Sequence, residues 1–131
     1  MNYSMFGLLL VAFAGGWVGQ ANGDDLSCDV AAGERLFKKC AVCHSVEAGV
    51  AHGAGPNLYD VVGRAVGKID GFRFSRAMRE SDSIWNAEHL NAFLENPQAV
   101  YPRTRMAFSG FKKAEDRSTM ICYLRTHSST E

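Results

Sequence analysis

The chain has 131 residues, which suits one domain with a small core. Its 47% hydrophobic and 21% charged residues are ordinary for a globular protein. Fourteen lysines and arginines balance fourteen aspartates and glutamates, so overall charge supplies no drive toward nucleic acid or a membrane surface.

The N-terminal stretch from Met5 to Val18 is apolar and uncharged. It is shorter than the roughly 20 apolar residues that span a bilayer, and it has the size of a signal-peptide apolar region. Gly7, Gly15, Gly16 and Gly19 disfavour a stable core helix here, and no lysine or arginine precedes the stretch. Ala21-Asn22-Gly23 offers small residues at a cleavage site. The expected division is therefore a signal peptide over residues 1–23, cut after Gly23, and one domain over 24–131. A retained membrane anchor is the competing reading. Export would place the mature chain in an oxidising compartment, the periplasm, which frames Cys28, Cys40, Cys43 and Cys122.

Further along, Asp29 to Lys39 reads as a short helix with Val30, Leu36 and Phe37 apolar. Gly33 within it costs about 1 kcal/mol against alanine, which is reasonable where another helix crosses closely. Ser45 to Gly71 is rich in glycine and reads as loop, a length that suits a segment wrapped around a ligand. Ser75 to Glu80 is a candidate short helix. Asn86 to Asn96 is a firmer one, capped by Asn86, with Glu88 in its first turn and Leu90, Phe93 and Leu94 on one face. Pro97 is expected to stop it. Gln98 to Phe111 reads as irregular, and Lys113 to His127 as the last helix. There Glu115 and Asp116 suit the N-terminal end, and Arg125 and His127 the C-terminal end. No segment alternates over strand length, so the chain reads as all-α with long loops.

Cys40-Ala41-Val42-Cys43-His44 has the CxxCH pattern of covalent haem attachment. Two thiols add across two haem vinyl groups, the two-residue spacer lets both sulfurs reach one macrocycle, and the following imidazole comes under the iron. A thioredoxin-type redox pair would need a βαβ setting, and a zinc site would need a second donor pair. Neither pattern is apparent in the sequence.

From Asp29 to Leu124 the sequence resembles the class I cytochromes c, the family of mitochondrial cytochrome c and bacterial cytochrome c2. The resemblance runs through Gly33-x-x-x-Phe37, CxxCH, His52-x-x-Gly55-Pro56-Asn57-Leu58 and Gly63-Arg64. It continues through Gly71-Phe72, Trp85, Leu94-Glu95-Asn96-Pro97, Pro102-x-Thr104-x-Met106-x-Phe108 and Tyr123-Leu124. It implies a small cytochrome c fold, all-α, of about three main helices and long loops wrapped around one covalent haem c attached through Cys40 and Cys43. His44 and Met106 would be the axial ligands of the iron. The Pro56 carbonyl would accept a hydrogen bond from His44, and Arg64, Trp85 and Thr104 would contact the haem propionates. Gly33 and Phe37 would pack against the last helix near Tyr123. Phe74, Phe93 and Met78 stand where the family often has two tyrosines and an asparagine, which implies a drier haem pocket.

The implied role is electron transport in a respiratory or photosynthetic chain, not enzyme catalysis, because two strong protein ligands would leave no open iron position. A haem peroxidase or gas sensor would need Met106 to dissociate. Redox partners, membrane-bound or soluble, would dock at a basic haem-edge face formed by Lys38, Lys39, Arg103, Arg105, Lys112 and Lys113. The protein is expected to be a monomer, with no nucleic-acid partner and no stable membrane insertion after cleavage. His52 is expected to tie loops together, His89 to be exposed, and His127 to sit at a helix end. Because the first and last helices cross in this family, a Cys28–Cys122 disulfide is one expectation, helped by export, and two free thiols are the alternative.

Overall fold

The structure, a computed structural model, describes residues 28–129; the expected leader and its cleavage site lie outside them. Helix α1 spans Val30–Phe37, and the Asp29 carboxylate caps it by accepting from the Ala32 N–H at 2.8 Å. Helical hydrogen bonding carries on beyond it. The Ala41 N–H donates to the Phe37 carbonyl at 2.8 Å and the His44 N–H to the Cys40 carbonyl at 2.9 Å, so the chain is still turning when it reaches the CxxCH residues.

Helix α2 is the short piece Arg76–Arg79, capped by Ser75. Helix α3, Ala87–Glu95, is capped as expected by Asn86, whose side-chain oxygen accepts from the His89 N–H at 2.8 Å. Leu90, Phe93 and Leu94 form its buried face.

Pro97 does not simply end α3. It opens a further short helix, α4, Pro97–Val100. Proline at the first position has no N–H to leave unpaired and brings a helical φ, while the Asn96 side chain accepts from the Ala99 N–H at 3.2 Å. The stop and the new start therefore share one residue pair. Helix α5, Ala114–Arg125, is shorter at both ends than the sequence reading and has Glu115 and Asp116 in its first turn. Its N-cap, Lys113, contributes no side-chain hydrogen bond.

Among the described residues there is no strand, only an isolated bridge between Ala65 and Ile84. The fold is all-α: three main helices, two short ones, and long loops. Helix α5 packs against both α1 and α3. The crossing with α1 is close because Gly33 lies against Tyr123; a Cβ on Gly33 would overlap the Cβ of Tyr123. Phe37 meets Tyr123 ring to ring at 5.4 Å. A Cys28–Cys122 disulfide ties the same two helices, with Cα atoms 5.7 Å apart. At the other side of α5, Gly110 (φ +94°) brings the chain against the Glu95 backbone, where a side chain would collide. That turn lets the Phe111 N–H reach the Leu94 carbonyl at 2.8 Å.

The long loop after the CxxCH turn is organised by its own polar groups. Asn57, buried, donates to the Glu47 and Val50 carbonyls at 2.8 and 2.7 Å and accepts from the Tyr59 N–H at 2.7 Å. His52 ties this loop to the next: its Nδ1 accepts from the Asn57 N–H at 2.9 Å, and its Nε2–H donates to the Asp70 carbonyl at 2.8 Å. His127 lies just beyond α5, beside the Tyr123 carbonyl at 3.0 Å.

His89 corrects the sequence reading. It is half-buried, not exposed, because its ring packs 4.8 Å from that of Trp85 and 5.6 Å from that of Tyr101.

Candidate functional site

Cys40, Cys43 and His44 stand at i, i+3 and i+4 of one continued helical turn, so the two thiols and the imidazole share a face. Both cysteines are free, Cys40 half-buried and Cys43 exposed. Burial pushes the Cys40 thiol up to about 11 despite the nearby Lys39 ammonium, and Cys43 adds to the rise. The protonated thiol, and equally a neutral thioether, is the state this environment favours.

His44 is held from one side. Its Nδ1 lies 2.7 Å from the Pro56 carbonyl, which can only accept, so Nδ1 carries the proton and Nε2 keeps a free lone pair. Gly55 makes this possible: a Cβ there would overlap the His44 ring, with its Nδ1 only 2.6 Å away. The Gly55 N–H also donates to the Cys43 carbonyl at 2.8 Å, pinning the loop to the turn. Burial lowers the His44 pKa below its ordinary value; the Pro56 hydrogen bond opposes this and the Arg64 charge adds to it. The imidazole is therefore neutral, as a metal ligand must be. A histidine whose second nitrogen is fixed by a carbonyl is the usual arrangement at a metal.

The other residues singled out from sequence lie as follows. Arg64 donates to the Tyr59 and Asn57 carbonyls at 3.2 and 3.0 Å, bracing the loop that carries Pro56; burial lowers its pKa and Asp60 opposes the shift. Trp85 is buried in an aromatic group, 4.9 Å from the ring of Phe93 and 5.9 Å from that of Tyr101. Thr104 is buried, and its hydroxyl donates to the Met78 sulfur at 3.8 Å. Met106 is half-buried against the core on the irregular segment after α4. Phe74, Met78 and Phe93 are all buried.

These groups fit haem c: two free thiols on one face, a neutral imidazole with Nε2 unused, and a half-buried thioether. Among the described residues, no three His, Cys, Asp or Glu side chains cluster to hold a bare metal ion.

All six expected docking cations, Lys38, Lys39, Arg103, Arg105, Lys112 and Lys113, are exposed. The Lys39 ammonium sits 5.5 Å from the centre of the Phe111 ring.

Sequence reasoning missed two polar arrangements. The buried Tyr101 hydroxyl joins His89 Nε2 and Ser81 Oγ, each at 3.0 Å, while His89 Nδ1 lies 3.1 Å from the Ile84 carbonyl. The buried Arg117 donates to Asn91 Oδ1 and to the Phe111 carbonyl, both at 2.9 Å. The partners come from separate segments, and no spacing in the sequence marks them.

Residues 30–128 match the family model described as Cytochrome c. A cytochrome c2 of Afifella marina is 39% identical over 100 residues, covering 74% of this chain and 81% of its own length. The cytochrome c of Kluyveromyces lactis is 42% identical over 93 residues, covering 70% of this chain and 84% of its own. Among solved structures, cytochrome cH from Methylobacterium extorquens superposes with a TM-score of 0.70 at 37% identity, over 75% of this chain and 98% of that one.

Proposed function

The chain belongs to the cytochrome c family, and from that premise we propose that it is an exported carrier of single electrons whose iron is held between His44 and Met106. It carries haem c, bonded covalently through Cys40 and Cys43. The observation that carries the reading is the CxxCH turn with His44 Nδ1–H fixed on the Pro56 carbonyl at 2.7 Å, which leaves Nε2 for iron.

Bound haem supplies an iron that cycles between ferric and ferrous. The chain's residues decide how readily. The Met106 thioether is a soft ligand that favours the ferrous state and raises the potential. The apolar side chains of Phe74, Met78 and Phe93 make a dry pocket that solvates the extra ferric charge poorly, acting in the same direction. Arg64, Trp85 and Thr104 would contact the haem propionates. With His44 and Met106 both holding the iron, no place would be left for substrate, so the role is transport and not catalysis.

The partners are redox proteins with an acidic surface, recruited by the exposed cations Lys38, Lys39, Arg103, Arg105, Lys112 and Lys113. The leader, residues 1–23, and the Cys28–Cys122 disulfide both support an oxidising compartment, the periplasm. No described helix is long and apolar enough to cross a membrane. The protein acts as a monomer.

An absorption spectrum of the holoprotein tests the ligand assignment. We expect sharp low-spin bands on reduction and the weak far-red band of ferric iron bound to methionine sulfur. A high-spin spectrum, or carbon monoxide binding to the native ferrous protein, would remove Met106 from the iron and favour a peroxidase or gas sensor.

A further inference from the structure

His89, Tyr101 and Ser81 come from three separate segments and meet in a chain of hydrogen bonds that iron ligation does not use. Each proton in it can be assigned. The Ile84 carbonyl can only accept, so His89 Nδ1–H donates to it at 3.1 Å. Nε2 of the neutral ring then accepts from the buried Tyr101 hydroxyl at 3.0 Å, and the Tyr101 oxygen accepts from the Ser81 hydroxyl at 3.0 Å. Ser81 Oγ accepts in turn from the Ser83 N–H at 3.2 Å. A proton added at Nε2 reverses the two central bonds and moves no heavy atom. His89 then donates to Tyr101, Tyr101 donates to Ser81, and the hydroxyl hydrogen of the half-buried Ser81 turns to solvent. His89 is therefore fully hydrogen-bonded in either charge state.

Position links this group to the electron. The His89 ring centre lies 4.8 Å from that of Trp85, the indole that would contact the haem propionates, so one aromatic ring stands between the imidazole and the haem. Tyr101 is the titratable side chain bonded to it. The charged side chains on the surrounding elements are Glu88 on α3, Asp82 beside Ser81, Glu80 at the end of α2 and Arg103 after α4, and all four are exposed. Glu80 is engaged by Arg76. The positive end of the α3 dipole opposes protonation. Oxidising the iron adds a positive charge to the haem, and a cation on His89 repels it. Proton and electron therefore favour each other's binding, and the coupling is reciprocal. We propose that His89 is the proton-coupled group of this carrier: it takes up a proton from solvent as the haem accepts an electron, and returns it through Tyr101 and Ser81 as the electron leaves.

The proposal rests on the haem lying beside Trp85 and is tested on the folded holoprotein. The His89 ring protons are followed by NMR from about pH 5 to pH 9 in the ferric and the ferrous protein, and the midpoint potential is measured over the same range. His89 should bind its proton about three- to tenfold more tightly in the ferrous state. The potential should fall as pH rises from the ferric to the ferrous His89 midpoint. His89→Gln keeps hydrogen-bonding groups without a titratable charge; it should remove that fall and leave the far-red band in place. Equal His89 midpoints in the two oxidation states would overturn the proposal. So would a fall that persists in His89→Gln, which would assign the proton to another group such as a propionate. A missing far-red band counts against Met106 as ligand, and the two His89 midpoints still decide this proposal. Unquenched Trp85 emission in the holoprotein would remove the premise and the proposal together.

Discussion

His44 makes one hydrogen bond that decides which of its nitrogens can face a metal, and the rest of its surroundings decide its charge. Burial and the Arg64 guanidinium lower its pKa beneath the ordinary 6.5, against the Pro56 carbonyl. A folded-state value below the unfolded one means that folding favours the neutral ring. That stabilisation is complete above 6.5 and is lost as pH falls from there through the folded-state value. In the holoprotein iron occupies Nε2 and competes with the proton for it, which lowers the proton affinity further, so the low-spin spectrum should stay unchanged through 6.5 and be lost only in more acidic solution. Loss centred at 6.5 in an acid titration would contradict this. Met106→Ala should abolish the far-red band and admit carbon monoxide to the ferrous protein while leaving haem covalently attached; a variant spectrum identical to wild type would exclude Met106 as ligand. Tyr101 offers a contrast outside the ligand set. Tyr101→Phe deletes the hydroxyl that joins His89 to Ser81 and leaves the half-buried His89 nitrogen without its partner. The expected cost is about 1–3 kcal/mol in denaturant unfolding, with little change in the far-red band.

At the scale of elements, the crossing of α1 and α5 is the junction that holds the two ends of the domain. Gly33 permits the approach, and Cys28–Cys122 closes it across a sequence separation of 94 residues. Constraining a loop of that length in the unfolded chain is worth about 4–5 kcal/mol by chain entropy, with measured values for native disulfides at about 2–5. Cys28→Ser with Cys122→Ser should lower the unfolding free energy by an amount in that range, measured on holoprotein with haem still bound through Cys40 and Cys43. Gly33→Val should also destabilise, by about 1–3 kcal/mol or more, because Tyr123 presents its Cβ and not a movable tip. Asp29 still caps α1 in these variants and α5 has no side-chain cap to lose, so the loss belongs to the crossing. The α3–α4 corner makes a related point. Asn96 and Pro97 read as a stop in one dimension, yet the same pair provides the cap and first residue of another helix.

For the whole molecule, a formal charge of zero conceals an uneven distribution. Six exposed cations form the expected docking face. Association with an acidic redox partner should slow as ionic strength rises, measurable by stopped-flow electron transfer; a rate independent of salt would remove the electrostatic docking face.

The CxxCH turn, the Asn86 cap, the apolar face of α3 and the close approach at Gly33 were legible in the sequence because each depends on neighbours one to four residues away or on one missing side chain. The resemblance to cytochromes c added the pairing of Cys28 with Cys122, the bond from His44 to Pro56 and the loop-tying role of His52. Only the tertiary structure decided where the remaining polar groups go: His89 to Tyr101, Arg117 to Asn91 and Phe111, and Asn57 to the carbonyls on either side of it. Periodicity and capping record local geometry. A hydrogen bond between distant segments exists only once the intervening chain has folded, and its partners leave no regular spacing to read.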